Sequence, residues 1–171
     1  MNGYFDYAAT APVNLKALND ILTEYNEELL FGNPSSTHTN GILAREILEQ
    51  ARIDISELLG CQNNEIFFTS GGTESDNMAL KGIMLKYSNK NAQLITSTIE
   101  HPAILNTCKE LEKLGYTIHY VKPDENGIIN PKDIERLINP ATKLISIMAI
   151  NNEIGAIEPI NEIARIAHDH N

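Results

Sequence analysis

Tryptophan is absent from this 171-residue chain, aromatic residues make up only 6% of it, and there are two cysteines. Cys61 and Cys108 match no metal-ligand spacing and no disulfide framework, so a reducing cytoplasm is the expected setting. Positive charge is also scarce: 13 Lys and Arg stand against 23 Asp and Glu, a formal net charge of −10. That balance argues against nonspecific binding to nucleic acid or to an anionic membrane. It says little about small ligands, which respond to local fields. No apolar run is long enough to span a bilayer, and the first residues show no basic stretch followed by an apolar core. Internal repeats and low-complexity tracts are missing too. What is there is an ordinary globular composition, 42% hydrophobic and 21% charged, in a chain long enough for one domain with a real core.

The most informative stretch runs from Glu65 to Asn77. Ile66, Phe67 and Phe68 form a short apolar run of strand-favouring side chains, too short for a helix. Ser70-Gly71-Gly72 interrupts regular structure, and a helical pattern follows from about Thr73, with Leu80, Ile83, Met84 and Tyr87 along one face. A strand, a glycine turn and a helix N-terminus in that order suit an anion: the first helical turn presents unpaired N–H groups, and glycine admits a phosphate close to the backbone. The same pattern is equally compatible with a strand-to-helix turn that binds nothing. Glu74 and Asp76 add negative charge at that helix end and are tolerable only if they point away from a bound anion.

Along the chain, Tyr4 to Pro12 reads as an extended arm. A helix follows with Asn14 as its cap and Leu15, Leu18, Leu22, Tyr25 and Leu29 as a core-facing stripe. Phe31 to His38 is a polar loop rich in turn residues, in which Asn33 and His38 are at most the rim of a site. A helix from about Asn40 to Leu59 places Ile47, Ala51, Ile55 and Leu58 inward and stops at Gly60. Gln93–Ser97 is a second strand, and Pro102 opens a helix whose apolar face is Ile104, Leu105, Cys108, Leu111 and Leu114, ended by Gly115. Cys108 is therefore expected to be packed and inert. Tyr116–Val121 is a third strand, Asn130-Pro131 opens a short helix to about Ile138, and Lys143–Ile150 is a fourth strand. A last helix, from about Pro159 to Asp169, carries Ile160, Ile163 and Ile166 inward. This alternation predicts an α/β fold with a largely parallel sheet flanked by helices, where ligands bind outside the carboxyl ends of the strands. Gly72-Thr73, His101 and Asn152 all fall at that edge. His168-Asp169-His170 could chelate a metal, but two histidines at a helix end without a third ligand read as a solvated terminus, so no metal site is assigned.

At these residues the sequence resembles the NifS-like cysteine desulfurases. Ser70-Gly71-Gly72-Thr73-Glu74-Ser75-Asp76-Asn77, Glu100-His101 and Asn151-Asn152-Glu153-Ile154-Gly155 carry the likeness, with Asp6 to Pro12 and Gly32-Asn33-Pro34-Ser35-Ser36 in register. The resemblance implies a class V, fold-type I enzyme dependent on pyridoxal 5′-phosphate (PLP). By that likeness Gly72 and Thr73 bind the cofactor phosphate, through backbone N–H groups and the Thr73 hydroxyl. His101 stacks on the pyridine ring and moves protons, and Asn152 hydrogen-bonds near the ring oxygen or the substrate carboxylate. A helix-cap or core histidine remains the alternative for His101, and turn formation for Asn151-Asn152. Residues 1–13 would be an arm belonging to a small domain, and 14–171 the first part of the PLP-binding large domain.

The implied reaction takes sulfur from L-cysteine, leaving L-alanine and a persulfide on an enzyme cysteine, and passes it to an acceptor such as an iron–sulfur scaffold. A homodimer is expected. Several family elements have no counterpart here: the Asp that pairs with the pyridine nitrogen, a Gln near the ring oxygen, the Ser-x-His-Lys segment, and the loop with the sulfur-accepting cysteine. Neither Cys61 nor Cys108 sits in a matching motif. The expectation is an N-terminal portion that does not desulfurate cysteine alone. A noncatalytic remnant acting as an assembly partner is the competing reading, as is another class V enzyme such as an aminotransferase or selenocysteine lyase.

Overall fold

The computed structural model describes residues 3–7, 9–26, 31–87 and 91–170. It divides into two compact units, Met1–Phe68 and Thr69–Asn171.

In the first unit, helix α1 (Leu15–Asn26) begins where expected because Asn14 Oδ1 accepts from the N–H groups of Lys16 and Ala17, at 3.1 and 3.2 Å. Helix α2 (Thr39–Leu59) ends at Gly60, which takes the left-handed φ of 67° that glycine adopts without steric cost. The loop between them is tightly folded. Arg45 donates from Nε to the Pro34 carbonyl and from Nη2 to that of Ser36, at 2.8 and 2.7 Å. A Cβ on Gly41 would lie 2.7 Å from Ser36, so glycine is needed for the loop to close on the helix. Asn33 Oδ1 accepts from Ser35 N, and His38 caps α2 through Nδ1, which accepts from Gly41 N. Both residues thus have structural work in this loop.

Three expectations for this unit fail. The α1 stripe does not face a core: Leu15, Leu18, Leu22 and Tyr25 are all exposed, and Leu29 lies outside the described residues. On α2, Ile47 and Ile55 are half-buried, but Ala51 is exposed and Leu58 is 86% exposed. Ile66–Phe68 is not a strand, and Phe67 is 68% exposed. A strand exists only where a neighbour completes its backbone hydrogen bonds, and no described segment pairs with these residues. A 3₁₀ turn, Asn63–Glu65, precedes the segment, whose Ile66 carbonyl accepts from Arg52 Nη1.

The second unit is built on a parallel sheet. Helix α3 (Gly72–Lys86) leads to strand β1 (Gln93–Ser97), then helix α4 (Pro102–Lys113), strand β2 (Thr117–Val121) and short helix α5 (Pro131–Glu135). Strand β3 (Thr142–Ser146) and helix α6 (Ile160–His170) complete it. The strand order is β2-β1-β3, with both pairings parallel. Central β1 is buried on both faces from Leu94 to Ser97, although only Leu94 and Ile95 of its five residues are apolar. Leu94 packs with Leu80, Met84, Cys108 and Leu111 from α3 and α4, while Ile95 packs with Ile134 and Ile163 from α5 and α6.

β3 is shorter than the apolar run predicts. Its ladder with β1 ends at Thr96↔Ser146, because β1 itself stops one residue later; beyond it, among the described residues, Ile150 makes only an isolated antiparallel bridge to Ile157. The face assigned to α4 is right at Ile104, Cys108 and Leu111, with Leu105 half-buried and Leu114 exposed. Burial first, then the charges of Glu112 and Glu100, push the Cys108 thiol up to about 11, so it stays protonated and unreactive at neutral pH. On α6, Ile163 and Ile166 are buried and Ile160 half-buried. At its end Arg165 donates to Asp169 at 3.1 Å, and His170 lies 3.9 Å from Glu135. No described helix is long and apolar enough to cross a membrane.

Candidate active site

The chain leaves β1 toward β2 on one side and reaches β3 on the other, so the strand order reverses between β1 and β3. A crevice outside the carboxyl ends of the strands at such a point is where α/β sheets bind ligands. His101 follows β1 and Asn152 follows β3, and the two line one cavity of about 340 Å³ with Thr98, Leu105 and Ile154. A smaller cavity, about 170 Å³, lies beside it between Asp76, Glu100, His101 and Ser146. His101 is common to both.

His101 is the N-cap of α4: its Nδ1 accepts from Ala103 N at 3.1 Å. In the neutral imidazole that bond keeps Nδ1 unprotonated and leaves the proton on Nε2. The cap that stood as the alternative for this residue is thus present, and it orients the ring at the crevice. Asn151 and Asn152 divide their tasks. Asn151 is buried and makes the turn, with Oδ1 accepting from Glu153 N and Ile154 N at 2.9 and 3.0 Å and Nδ2 donating to the Ile99 carbonyl at 2.9 Å. Asn152 is exposed on the cavity wall.

Gly72 and Thr73 occupy the first turn of α3 and line neither cavity. As the first residues of the helix they have no carbonyl a turn earlier to donate to, and their N–H groups meet no acceptor among the described residues. A Cβ placed on Gly72 would touch nothing within 4 Å, so the space before this turn is open. Glu74 folds back, its Oε2 accepting from Ser70 N and Ser70 Oγ at 2.6 and 2.7 Å, and these bonds hold its carboxyl below the usual range. Its charge is directed to Ser70 and leaves the N–H groups of Gly72 and Thr73 unclaimed. Asn77 is fixed by donating to the Thr73 carbonyl and accepting from Thr107 Oγ1, both at 2.9 Å, which ties this turn to α4.

Sequence reasoning did not assign a task to Glu100. This carboxylate is buried, and its Oε1 accepts from Ser97 Oγ at 2.6 Å and from Met148 N at 3.1 Å. Burial pushes its pKa up, the two hydrogen bonds oppose that, and the charges of Glu158 and Asp76 add to the rise. A charged residue three places beyond the strand expected at Gln93–Ser97 and directly before His-Pro was the available signal.

The aminotransferase class-V family model matches residues 3–171. The cysteine desulfurase IscS of Dictyoglomus turgidum is 46% identical over 167 residues, covering 98% of this chain and 42% of that protein. Among solved structures, a NifS-like protein superposes with a TM-score of 0.93 at 39% identity, over 100% of this chain and 46% of that one. A structure described as SspA in complex with cysteine gives 0.91 at 40% identity, over 98% and 48%. The chain therefore spans less than half the length of these relatives. Its sheet and helices are those of the NifS-like, fold-type I PLP-dependent structures. Over residues 3–171, the Gly-Gly-Thr and Asn-Asn-Glu-Ile-Gly turns included, this chain belongs to the aminotransferase class-V family.

Proposed function

We propose that residues 69–171 carry the phosphate- and ring-contacting side of a pyridoxal 5′-phosphate site in a cysteine desulfurase, which takes sulfur from L-cysteine and leaves L-alanine. The observation that carries this reading is the crevice between the ends of β1 and β3, where His101 and Asn152 line one cavity. Relatives named cysteine desulfurase, and a similar structure holding cysteine, support the substrate class.

The donor set fits the cofactor. Unclaimed N–H groups of Gly72 and Thr73, with the Thr73 hydroxyl, form an anion cradle at a helix N-terminus, and no side chain fills it. When bound, the cofactor supplies an electron sink for the substrate. The chain's own residues hold and orient: Gly72 and Thr73 would take the phosphate, and His101 would face the ring with its Nε2 proton available for transfer. Asn152 would offer its amide to the ring oxygen or the substrate carboxylate. In this reading the protein works in the cytoplasm as a homodimer and hands sulfur to an acceptor such as an iron–sulfur scaffold.

Calorimetry on the chain with pyridoxine 5′-phosphate and pyridoxine, neither of which has an aldehyde to react with surface lysines, tests the cradle. The phosphate form binds at least about tenfold tighter, and Thr73→Val narrows that gap about fivefold. His101→Ala weakens both ligands alike. Equal affinity of the two forms for the unaltered chain would sink the reading.

A further inference from the structure

We propose that Glu100 and Asn151 are positioning residues that clasp the loop after β1 to the loop after β3, and so set His101 against Asn152; this rests on the reading of those two groups as cofactor-facing. The ladder between β1 and β3 stops at Thr96↔Ser146. Beyond it the two loops, residues 98–101 and 147–155, leave the sheet, with only an isolated bridge from Ile150 to Ile157 in the second. Two hydrogen bonds join them among the described residues, both donated by the second loop and accepted by the first. Glu100, on the first loop, accepts from Met148 N on the second at 3.1 Å. Asn151, on the second, donates from Nδ2 to the Ile99 carbonyl on the first at 2.9 Å. Each loop thus contributes one side chain and one backbone group.

Both side chains are anchored at home as well as across. Ser97 Oγ donates to the same Glu100 oxygen at 2.6 Å, and Asn151 Oδ1 holds the Glu153 and Ile154 amides. Both residues are only 6% exposed, so these bonds are largely shielded from water. Each lines the cavity itself and is the immediate chain neighbour of the residue it positions there: Glu100 of His101, and Asn151 of Asn152. Moving either clasp residue moves one wall of the cavity relative to the other.

The chemistry sets the substitutions. One oxygen of Glu100 accepts both bonds, so a neutral amide of the same length serves as well, whereas Asp is one methylene too short to reach Met148. Asn151 must both donate and accept, which Ala cannot do.

Amide hydrogen exchange on the 171-residue chain reads the clasp without any cofactor. Glu100→Ala speeds exchange at Met148 and also at Glu153 and Ile154, although Asn151 holds those two. Glu100→Gln restores all three, and Asn151→Ala speeds Met148 in turn. Should Glu100→Ala fail to fold, Glu100→Asp takes its place with the same expected outcomes. Pyridoxine 5′-phosphate affinity falls about tenfold in Glu100→Ala and in Asn151→Ala, and the double variant loses no more than the larger single loss. Affinity for inorganic phosphate, held on α3, is unchanged. Unaltered protection of Glu153 and Ile154 in Glu100→Ala, or Glu100→Gln behaving like Glu100→Ala, overturns the clasp. If the unaltered chain does not bind pyridoxine 5′-phosphate, the functional reading falls, while the exchange coupling still decides whether the loops are clasped.

Discussion

Helices α1 and α6 carry similar apolar stripes and use them in opposite ways. Ile163 and Ile166 of α6 are buried against one face of the parallel sheet, whereas Leu18, Leu22 and Tyr25 of α1 stand exposed. Both stripes follow the 3.6-residue period, so the pattern identifies the helix equally well in each. What it does not contain is the surface that covers the stripe. In the second unit that surface is the β2-β1-β3 sheet, whose central strand offers Leu94 to one layer of helices and Ile95 to the other. Among the described residues of the first unit there is no strand to play that part.

The largest expected effect tests this contrast directly. Leu94 is fully buried, so Leu94→Ala removes close packing on one face of β1 and costs about 2–5 kcal/mol in urea unfolding. Leu22 is 49% exposed, and Leu22→Ala shifts stability by no more than about 0.5 kcal/mol. Equal costs at the two positions would mean that the α1 stripe is covered in solution and would end the comparison. A smaller effect is expected at Gly60, where the left-handed φ of 67° penalises any Cβ although nothing lies near it. Gly60→Ala should cost about 1 kcal/mol through the backbone alone. Smaller again is Asn14→Ala, which removes the cap of an exposed helix. It should cost about 0.5–1 kcal/mol and lower helical circular dichroism without changing near-ultraviolet signals from the second unit.

The last prediction concerns pH and belongs to the second unit. Glu100 has a folded pKa raised above its unfolded value, so between those two values the folded chain binds more protons than the unfolded one. Its contribution therefore favours folding at low pH and is lost as pH rises through that window, which opens upward from the ordinary carboxylate value. Glu100→Gln should flatten the stability curve there while keeping both hydrogen bonds to the same oxygen. An unchanged slope would show that burial does not perturb this carboxyl.

Much of the second unit was legible in advance. The strands read from Gln93–Ser97 and Tyr116–Val121 are found at Gln93–Ser97 and Thr117–Val121, and the helix start at Asn130-Pro131 follows from local chemistry. His101 and Asn152 were placed at the carboxyl edge by counting elements, and the structure brings them to one cavity. Ile66–Phe68 misled for a physical reason: strand propensity describes a side chain's fit to a pleated surface, and no described partner supplies that surface. The fourth strand was overextended because its apolar run continues past the end of β1.

By itself, then, the sequence determined what neighbours along the chain can decide. Asn14 and Asn130 cap their helices, Gly60 ends one, and His101 turns its Nδ1 onto the following helix, because each of those bonds closes within a few residues. Only the tertiary structure decided the strand order, the fate of each apolar stripe and the task of Glu100. The bonds from Glu100 to Met148 and from Asn151 to Ile99 span 48 and 52 residues. No periodicity in the chain encodes such a pairing, since it forms only after the parallel sheet has brought the ends of β1 and β3 together.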